Sequence, residues 1–302
     1  MKDNYGRPVT SIRISVTNDC DLDCFYCHRE GCLEGNREMA PSEIGEIVRI
    51  GTEFGIEKVK LTGGEPLMSP DIIEIVSAVN QPPINDVSLT TNGTTLAEKS
   101  GELKEAGLDR INISLDTLNP EVYEEITGEP KLNQVLDGID AALDAGLWPV
   151  KLNMIVLNGV NNEEIEQIME YSLDHGTILQ IIELLWTQDT ADIYKKYHAS
   201  LDSIEEKLKE RAGGVKTRWL MQARRKYLIN GGEVEIVNPM HNSEFCAHCT
   251  RIRMTPDGYL KPCLMRNDNL VDILTPIRAG DEKKVRDAFR EAISRREPYY
   301  KG

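Results

Sequence analysis

Five short stretches of this 302-residue chain alternate apolar and polar residues, and helix-like segments separate them. The stretches are 12–17, 58–62, 86–90, 110–115 and 150–155, with a more apolar sixth at 177–184. Successive side chains of a strand point to opposite faces. One face therefore holds Ile12, Ile14 and Val16, Val59 and Leu61, Val87 and Leu89, Ile111, Ile113 and Leu115, and Val150, Leu152 and Met154. The other holds Arg13, Ser15 and Thr17, Lys58, Lys60 and Thr62, Ser88 and Thr90, Asn112, Ser114 and Asp116, and Lys151 and Asn153. Parallel strands buried on both faces read as continuous apolar runs, and these do not. The helix candidates 41–54, 70–80, 96–106, 132–145 and 163–174 must cover the apolar face. Ser42, Ser69-Pro70 and Asn161-Asn162 mark helix starts, and Gly107 and Gly146 mark stops. The polar face is then the inside of a curved sheet around a wet, charged cavity. The expected fold class is α/β: a partial (β/α)6 TIM-like barrel with a C-terminal extension. The expected division is 1–186 for the barrel and 187–302 for the region packed on it.

Unusual residues begin where strands end, which is where (β/α) barrels collect their active sites. Cys20, Cys24 and Cys27 follow the first strand at C-x3-C-x2-C spacing, Gly63-Gly64-Glu65-Pro66 follows the second and Thr91-Asn92-Gly93 the third. A second group, Cys246, Cys249 and Cys263, lies in the extension. That extension reads as a helix at 201–211, short strands at 216–219, 225–229 and 233–237 with Asn230-Gly231-Gly232 as a turn, and a closing helix at 281–296. Thiolates are soft ligands that favour iron–sulfur clusters, zinc or copper(I). Each group offers three, so a polynuclear cluster held by them keeps one metal position open. A zinc site remains open as an alternative, with His28 as fourth ligand in the first group and His248 or His241 in the second. Between the later cysteines stand Arg251 and Arg253. If that segment is extended, both guanidiniums lie on one face, suited to phosphate or carboxylate.

Composition narrows the class. The formal net charge of −15 disfavours nucleic acid and anionic membrane, so a polyanionic ligand needs a local cluster of cations. The inward Arg13, Lys58, Lys60 and Lys151 are such a cluster. No apolar run approaches the roughly 18 residues of a spanning helix, and the opening residues lack a signal peptide's apolar region. Seven clustered cysteines point to a reducing, cytoplasmic setting and metal ligation. Cys32 matches neither group and reads as a plain thiol.

The first cysteine motif, with Tyr26 before its last cysteine, resembles the signature of the radical S-adenosylmethionine (radical SAM) enzymes. Together with C-x2-C-x-R-x-R…C near the other end, it resembles the GTP 3′,8-cyclase family, over roughly residues 12–264. The wording around Cys24–Gly31 and at 180–184 is more like its archaeal branch. The resemblance implies that Cys20, Cys24 and Cys27 hold a [4Fe–4S] cluster that binds and cleaves SAM. Tyr26, Gly63, Gly64, Glu65, Ser114 and Leu185 would line the SAM site, with the Gly-Gly-Glu-Pro element at the methionyl amino group. Cys246, Cys249 and Cys263 would hold a second [4Fe–4S] cluster facing the guanine. Arg13, Lys58, Lys60, Thr90, Lys151, Arg251 and Arg253 would contact GTP, with Arg251, Arg253 and Lys151 also serving catalysis. The implied reaction turns GTP into (8S)-3′,8-cyclo-7,8-dihydroguanosine 5′-triphosphate, the first step of molybdenum cofactor biosynthesis. A reducing electron donor, a downstream cyclic pyranopterin synthase and a homodimer are implied partners. Gln180 stands where bacterial members have arginine, Leu185 where they have methionine, and Lys60 replaces an arginine. The bacterial Gly-Gly tail is missing after Tyr300-Lys301-Gly302. The alternatives are a peptide-modifying radical SAM maturase with an auxiliary cluster, and a non-enzymatic zinc-binding protein.

Overall fold

The structure, a computed structural model, describes residues 1–31 and 37–301. Cys32 and Gly302 lie outside the described residues. From the N-terminus run β1 (Ser11–Ser15), α1 (Pro41–Thr52), β2 (Lys58–Thr62), α2 (Ile72–Val79), β3 (Asp86–Thr91), α3 (Leu96–Glu105) and β4 (Arg110–Ser114). Then come α4 (Pro120–Thr127), α5 (Leu132–Asp144), β5 (Val150–Val156), α6 (Ile165–Asp174) and β6 (Ile178–Glu183). All six expected strands form, and each expected helix forms within a few residues of its predicted range.

Two local readings change. Ser42 is inside α1 rather than its cap: Ala40 is the N-cap, Pro41 opens the helix, and the Glu43 carboxylate accepts from the Ala40 N–H at 2.8 Å. The sequence reading also passed over α4, although its signals are plain. Asn119 caps the Glu121 N–H at 3.0 Å, Pro120 follows, and Gly128 ends the helix with φ of +78°.

The extension adds α7 (Ala191–Tyr197), α8 (Asp202–Arg211), β7 (Gly214–Arg218), β8 (Arg224–Ile229), β9 (Gly232–Val237), α9 (Ser243–Ala247), β10 (Arg251–Met254), β11 (Tyr259–Lys261), β12 (Val271–Asp272), α10 (Leu274–Arg278) and α11 (Glu282–Ser294). One sheet carries all these strands, in the order β12-β11-β10-β1-β2-β3-β4-β5-β6-β9-β8-β7. β10 pairs parallel with β1, and β9 pairs parallel with β6. The parallel run therefore has eight strands rather than six, and the extension supplies one at each edge. The buried face of β1 to β5 is the apolar set named above, with Ile12, Ile14, Leu61, Leu89, Ile111, Ile113, Leu152 and Met154 fully enclosed beneath the helices. Burial of such side chains stabilises by about 1.5–3 kcal/mol each, which fixes the register and sends the polar residues inward. No helix among the described residues is long and apolar enough to cross a membrane.

Candidate active site

Strand register turns the inward residues into rows. Arg253 of β10, Arg13 of β1, Lys60 of β2 and Ser88 of β3 are successive partners across four strands. Thr90, Asn112 and Lys151 make a second row, and Asn153, Gln180 and Glu235 a third. Arg251 stands two residues from Arg253 on the same face, while Ile252 between them is buried in the core, so the segment is extended as the spacing required. All these cations line one cavity, together with Tyr26, Ser114, Leu185 and the three later cysteines.

Lys58 does not join them. It lies at the start of β2, its ammonium is 3.9 Å from Asp86, and it is outside the residues that line the cavity. Alternation placed it on the correct face but said nothing of depth along the strand. Gly63, Gly64 and Glu65 lie outside the lining, as do Cys20, Cys24 and Cys27, and they pack against the cysteine loop. A Cβ on Gly64 would lie 2.2 Å from the Asp19 carbonyl oxygen, and the Glu65 N–H donates to that same oxygen at 2.6 Å. Glycine is required because backbone packs on backbone beside Cys20. The buried Glu65 carboxylate accepts from the Leu67 N–H, the Thr91 hydroxyl and the Asn92 N–H, while burial pushes its pKa up to about 7. Asn92 and Thr94 in turn donate to Asp21 at 2.7 Å, which ties the loops after β1, β2 and β3 together.

Electrostatics in the cavity follow burial. Burial, then Arg110, Arg13, Arg251 and Lys151, hold the Lys60 ammonium well below its ordinary range; its Nζ donates to Asn112 at 2.8 Å. Burial lowers Lys151 to about 8 against the pull of Glu235, 3.0 Å away. Burial pushes Glu235 up, but Lys151, Arg224 and Arg218 outweigh it and carry the carboxylate down, so the pair is ionised at neutral pH. Gln180 bridges the rows, donating to Glu235 at 2.6 Å and accepting from Asn112 at 2.9 Å. Glu30 was not singled out from sequence. Its carboxylate accepts from Arg13 at 2.8 Å and Arg253 at 2.6 Å. Burial pushes it up, but these guanidiniums outweigh burial and hold it below the usual carboxylate range. Glu235, Arg218 and Arg224 were also missed; the alternation Glu233, Glu235 was the available signal for the first.

The cysteines are placed for clusters. Cys20, Cys24 and Cys27 are free thiols near enough to act electrostatically on one another, and Cys246 and Cys249 act likewise on Cys263. Burial pushes the Cys249 thiol up, but Arg251, Arg296 and Arg7 outweigh it and favour the thiolate. Among the described residues, no three His, Cys, Asp or Glu side chains gather round a single-ion position. Of the suggested fourth ligands, His28 lies among Glu30, Arg253 and Arg13, His248 packs at a tilt against Trp219 and His241 at a tilt against Tyr300. Three thiols in each group fit an iron–sulfur cluster with one open iron. At the end of β4, the Tyr26 hydroxyl donates to Asp116, whose pKa burial pushes up to about 6.

Residues 14–172 match the radical SAM superfamily, and residues 177–302 match Molybdenum Cofactor Synthesis C. A probable GTP 3′,8-cyclase of Methanocaldococcus jannaschii is 50% identical over 302 residues, covering 100% of this chain and 99% of the relative. A probable GTP 3′,8-cyclase of Methanothermobacter thermautotrophicus is 49% identical, covering 99% of each chain. Among solved structures, Streptococcus suis SuiB bound to S-adenosylmethionine matches with a TM-score of 0.64 at 15% identity, over 94% of this chain and 68% of that one. Native anSMEcpe with bound AdoMet matches with a TM-score of 0.59 at 16% identity, over 86% of this chain and 76% of that one. At such identities these two structures speak for the fold alone. The matched motifs span both cysteine groups and the relatives are about half identical along the whole chain, so the chain belongs to the radical SAM superfamily and, within it, to the GTP 3′,8-cyclase family.

Proposed function

We infer that the protein converts GTP into (8S)-3′,8-cyclo-7,8-dihydroguanosine 5′-triphosphate, the first step of molybdenum cofactor biosynthesis. Members of the family use SAM and [4Fe–4S] clusters. When bound here, these groups supply the electrons and the carbon-centred radical that removes hydrogen from the ribose. The observation that carries the assignment is the row Arg253–Arg13–Lys60, set in the cavity that Cys246, Cys249 and Cys263 also line.

The chain's own residues bind, orient and exclude. Cys20, Cys24 and Cys27 hold the first cluster; Cys246, Cys249 and Cys263 hold the second. Tyr26, Ser114 and Leu185 line the SAM side, while Gly63, Gly64 and Glu65 fix the loop that carries the first cysteines. Arg13, Lys60, Thr90, Lys151, Arg251 and Arg253 receive the triphosphate and present the ribose to the SAM side. Guanidiniums suit this task because their forked donors match phosphate oxygens. The barrel wall keeps water from the reacting carbons, and fixed geometry replaces a chance encounter. Residues 1–186 thus make the radical and supply part of the triphosphate site, and 187–302 add the second cluster's ligands and the Arg251–Arg253 pair. A one-electron donor, a reducing cytoplasmic setting, a downstream cyclic pyranopterin synthase and a homodimer complete the proposal.

Anaerobic reconstitution tests it. The loaded protein is expected to hold about eight irons, as two four-iron clusters require. It is expected to form 5′-deoxyadenosine and cyclised product when GTP is the sole substrate. Deoxyadenosine formed only with a peptide present would overturn the assignment.

A further inference from the structure

Arginine pairs stand at or just beyond each edge of the parallel run. At one edge β10 carries Arg251 and Arg253. At the other, Arg218 and Arg224 are register partners across the antiparallel β7–β8 pair, so both side chains stand on one face of that hairpin, and both line the cavity. The two pairs are within electrostatic reach. Arg224 acts on Arg251, and Arg13 and Cys249 act on Arg224.

The second pair is incompletely satisfied. One Arg224 terminal nitrogen donates to Gln222 at 2.6 Å, but its Nε is buried without a partner, as is the Nε of Arg13. A buried donor left unpaired costs about 1–3 kcal/mol, and more when charged. Burial pulls Arg224 down to about 10 against the attraction of Glu235, the chief opposing charge. Arg218 donates to both Glu235 oxygens at 2.9 and 3.1 Å. Glu235 also accepts from Lys151 and Gln180, so one carboxylate is shared among three donor side chains and leaves the Arg224 fork unanswered. A ligand with several acceptor oxygens and more than one negative charge answers both orphaned Nε groups at once.

We propose that Arg218 and Arg224 form a second phosphate clamp on the nucleoside triphosphate, in the same cavity as Arg251 and Arg253. Glu235 is a positioning residue that fixes Arg218 and Lys151. The proposal rests on the GTP reading above and extends it to residues of the β7–β8 hairpin.

Anaerobic titration of the holoenzyme with GTP and with guanosine tests it, using native protein, Arg224→Gln, Arg224→Lys and Arg218→Gln. Iron content and SAM affinity are measured alongside. The expected result is GTP affinity lowered roughly tenfold or more in both Gln variants, with guanosine affinity unchanged. Arg224→Lys is expected to recover part of the loss, because it restores charge without the fork. GTP affinity within about twofold of native in fully loaded variants overturns the clamp, and so does an equal loss for guanosine, which would place the contact on the base. If Arg224→Gln fails to hold iron, loaded Arg224→Lys decides on the same two readouts. A native holoenzyme that binds no GTP overturns the GTP reading itself and the clamp with it.

Discussion

Lys60 shows how burial prepares a side chain for a polyanion. Its amine has Asn112 and Thr90 as acceptors, at 2.8 and 3.4 Å, while Arg110, Arg13, Arg251 and Lys151 oppose its charge. In the free protein its ammonium is therefore held well below its ordinary range, and an arriving triphosphate reverses the balance of charge. GTP binding is expected to take up a proton at pH values between the lowered pKa of Lys60 in the free protein and its higher pKa in the complex. Calorimetry in buffers of different ionisation enthalpy reads this as a positive slope of apparent enthalpy, and Lys60→Arg should abolish the slope while keeping affinity. A slope unchanged in Lys60→Arg assigns the proton elsewhere. Lys151 gives a second signature. Its proton is held below about pH 8 and lost above, so the charge it offers to GTP is present at neutral pH and disappears as pH rises through about 8. GTP affinity should fall across that window in the native protein. In Lys151→Met it should be weaker at pH 7 and lack the break, and a break that persists would refute the role.

Elements set where such residues stand. The Gly-Gly-Glu-Pro segment holds the cysteine loop through backbone contacts: the Gly64 N–H donates to the Thr17 carbonyl at 2.8 Å, and the Glu65 N–H to that of Asp19. Gly64→Ala cannot be accommodated without moving Asp19, one residue before Cys20. Such a variant should reconstitute with about four irons rather than eight, keeping the second cluster's signal. Full occupancy by iron analysis and electron paramagnetic resonance would show that the loop tolerates the shift. At this scale the sequence was legible wherever the information is local. Period-two alternation identified β1 to β5 and the inward side of Arg13, Lys60 and Lys151, and cysteine spacing singled out both three-cysteine groups. Pairing between strands far apart in the chain leaves no such trace. That β10 would lie on β1, or β9 on β6, depends on packing between segments distant in sequence, so the eight-strand run could not be read. Arg218 and Arg224 escaped for a related reason, because only hairpin register puts them on one face. Lys58 failed in the other direction, since alternation gives the face but not the height along the barrel.

Over the whole molecule, the two ends of the chain meet behind the second cysteine group. Asp3, Arg7 and Arg296 form a buried knot: Asp3 lies 2.8 Å from Arg7 and 3.2 Å from Arg296, and the Asp3 and Arg296 side chains are 0% and 1% exposed. Each arginine also reaches a cysteine carbonyl. Arg7 donates to Cys246 at 2.8 Å and Arg296 to Cys249 at 2.5 Å. The carboxylate is thus the counter-charge for two guanidiniums that hold the loop carrying cluster ligands, and Arg296 further favours the Cys249 thiolate. Removing one partner of a buried ion pair costs about 3–5 kcal/mol, because the remaining charge is left uncompensated. Asp3→Asn keeps the shape and one acceptor but removes the charge, so the melting temperature should fall. The second cluster should be lost before the first: iron content should drop toward about four, with SAM binding retained and GTP binding weakened. Proportional loss of both clusters would mean that the knot supports only overall stability. Selective loss of the second would mean that both chain ends, through one carboxylate, govern the substrate-facing cluster.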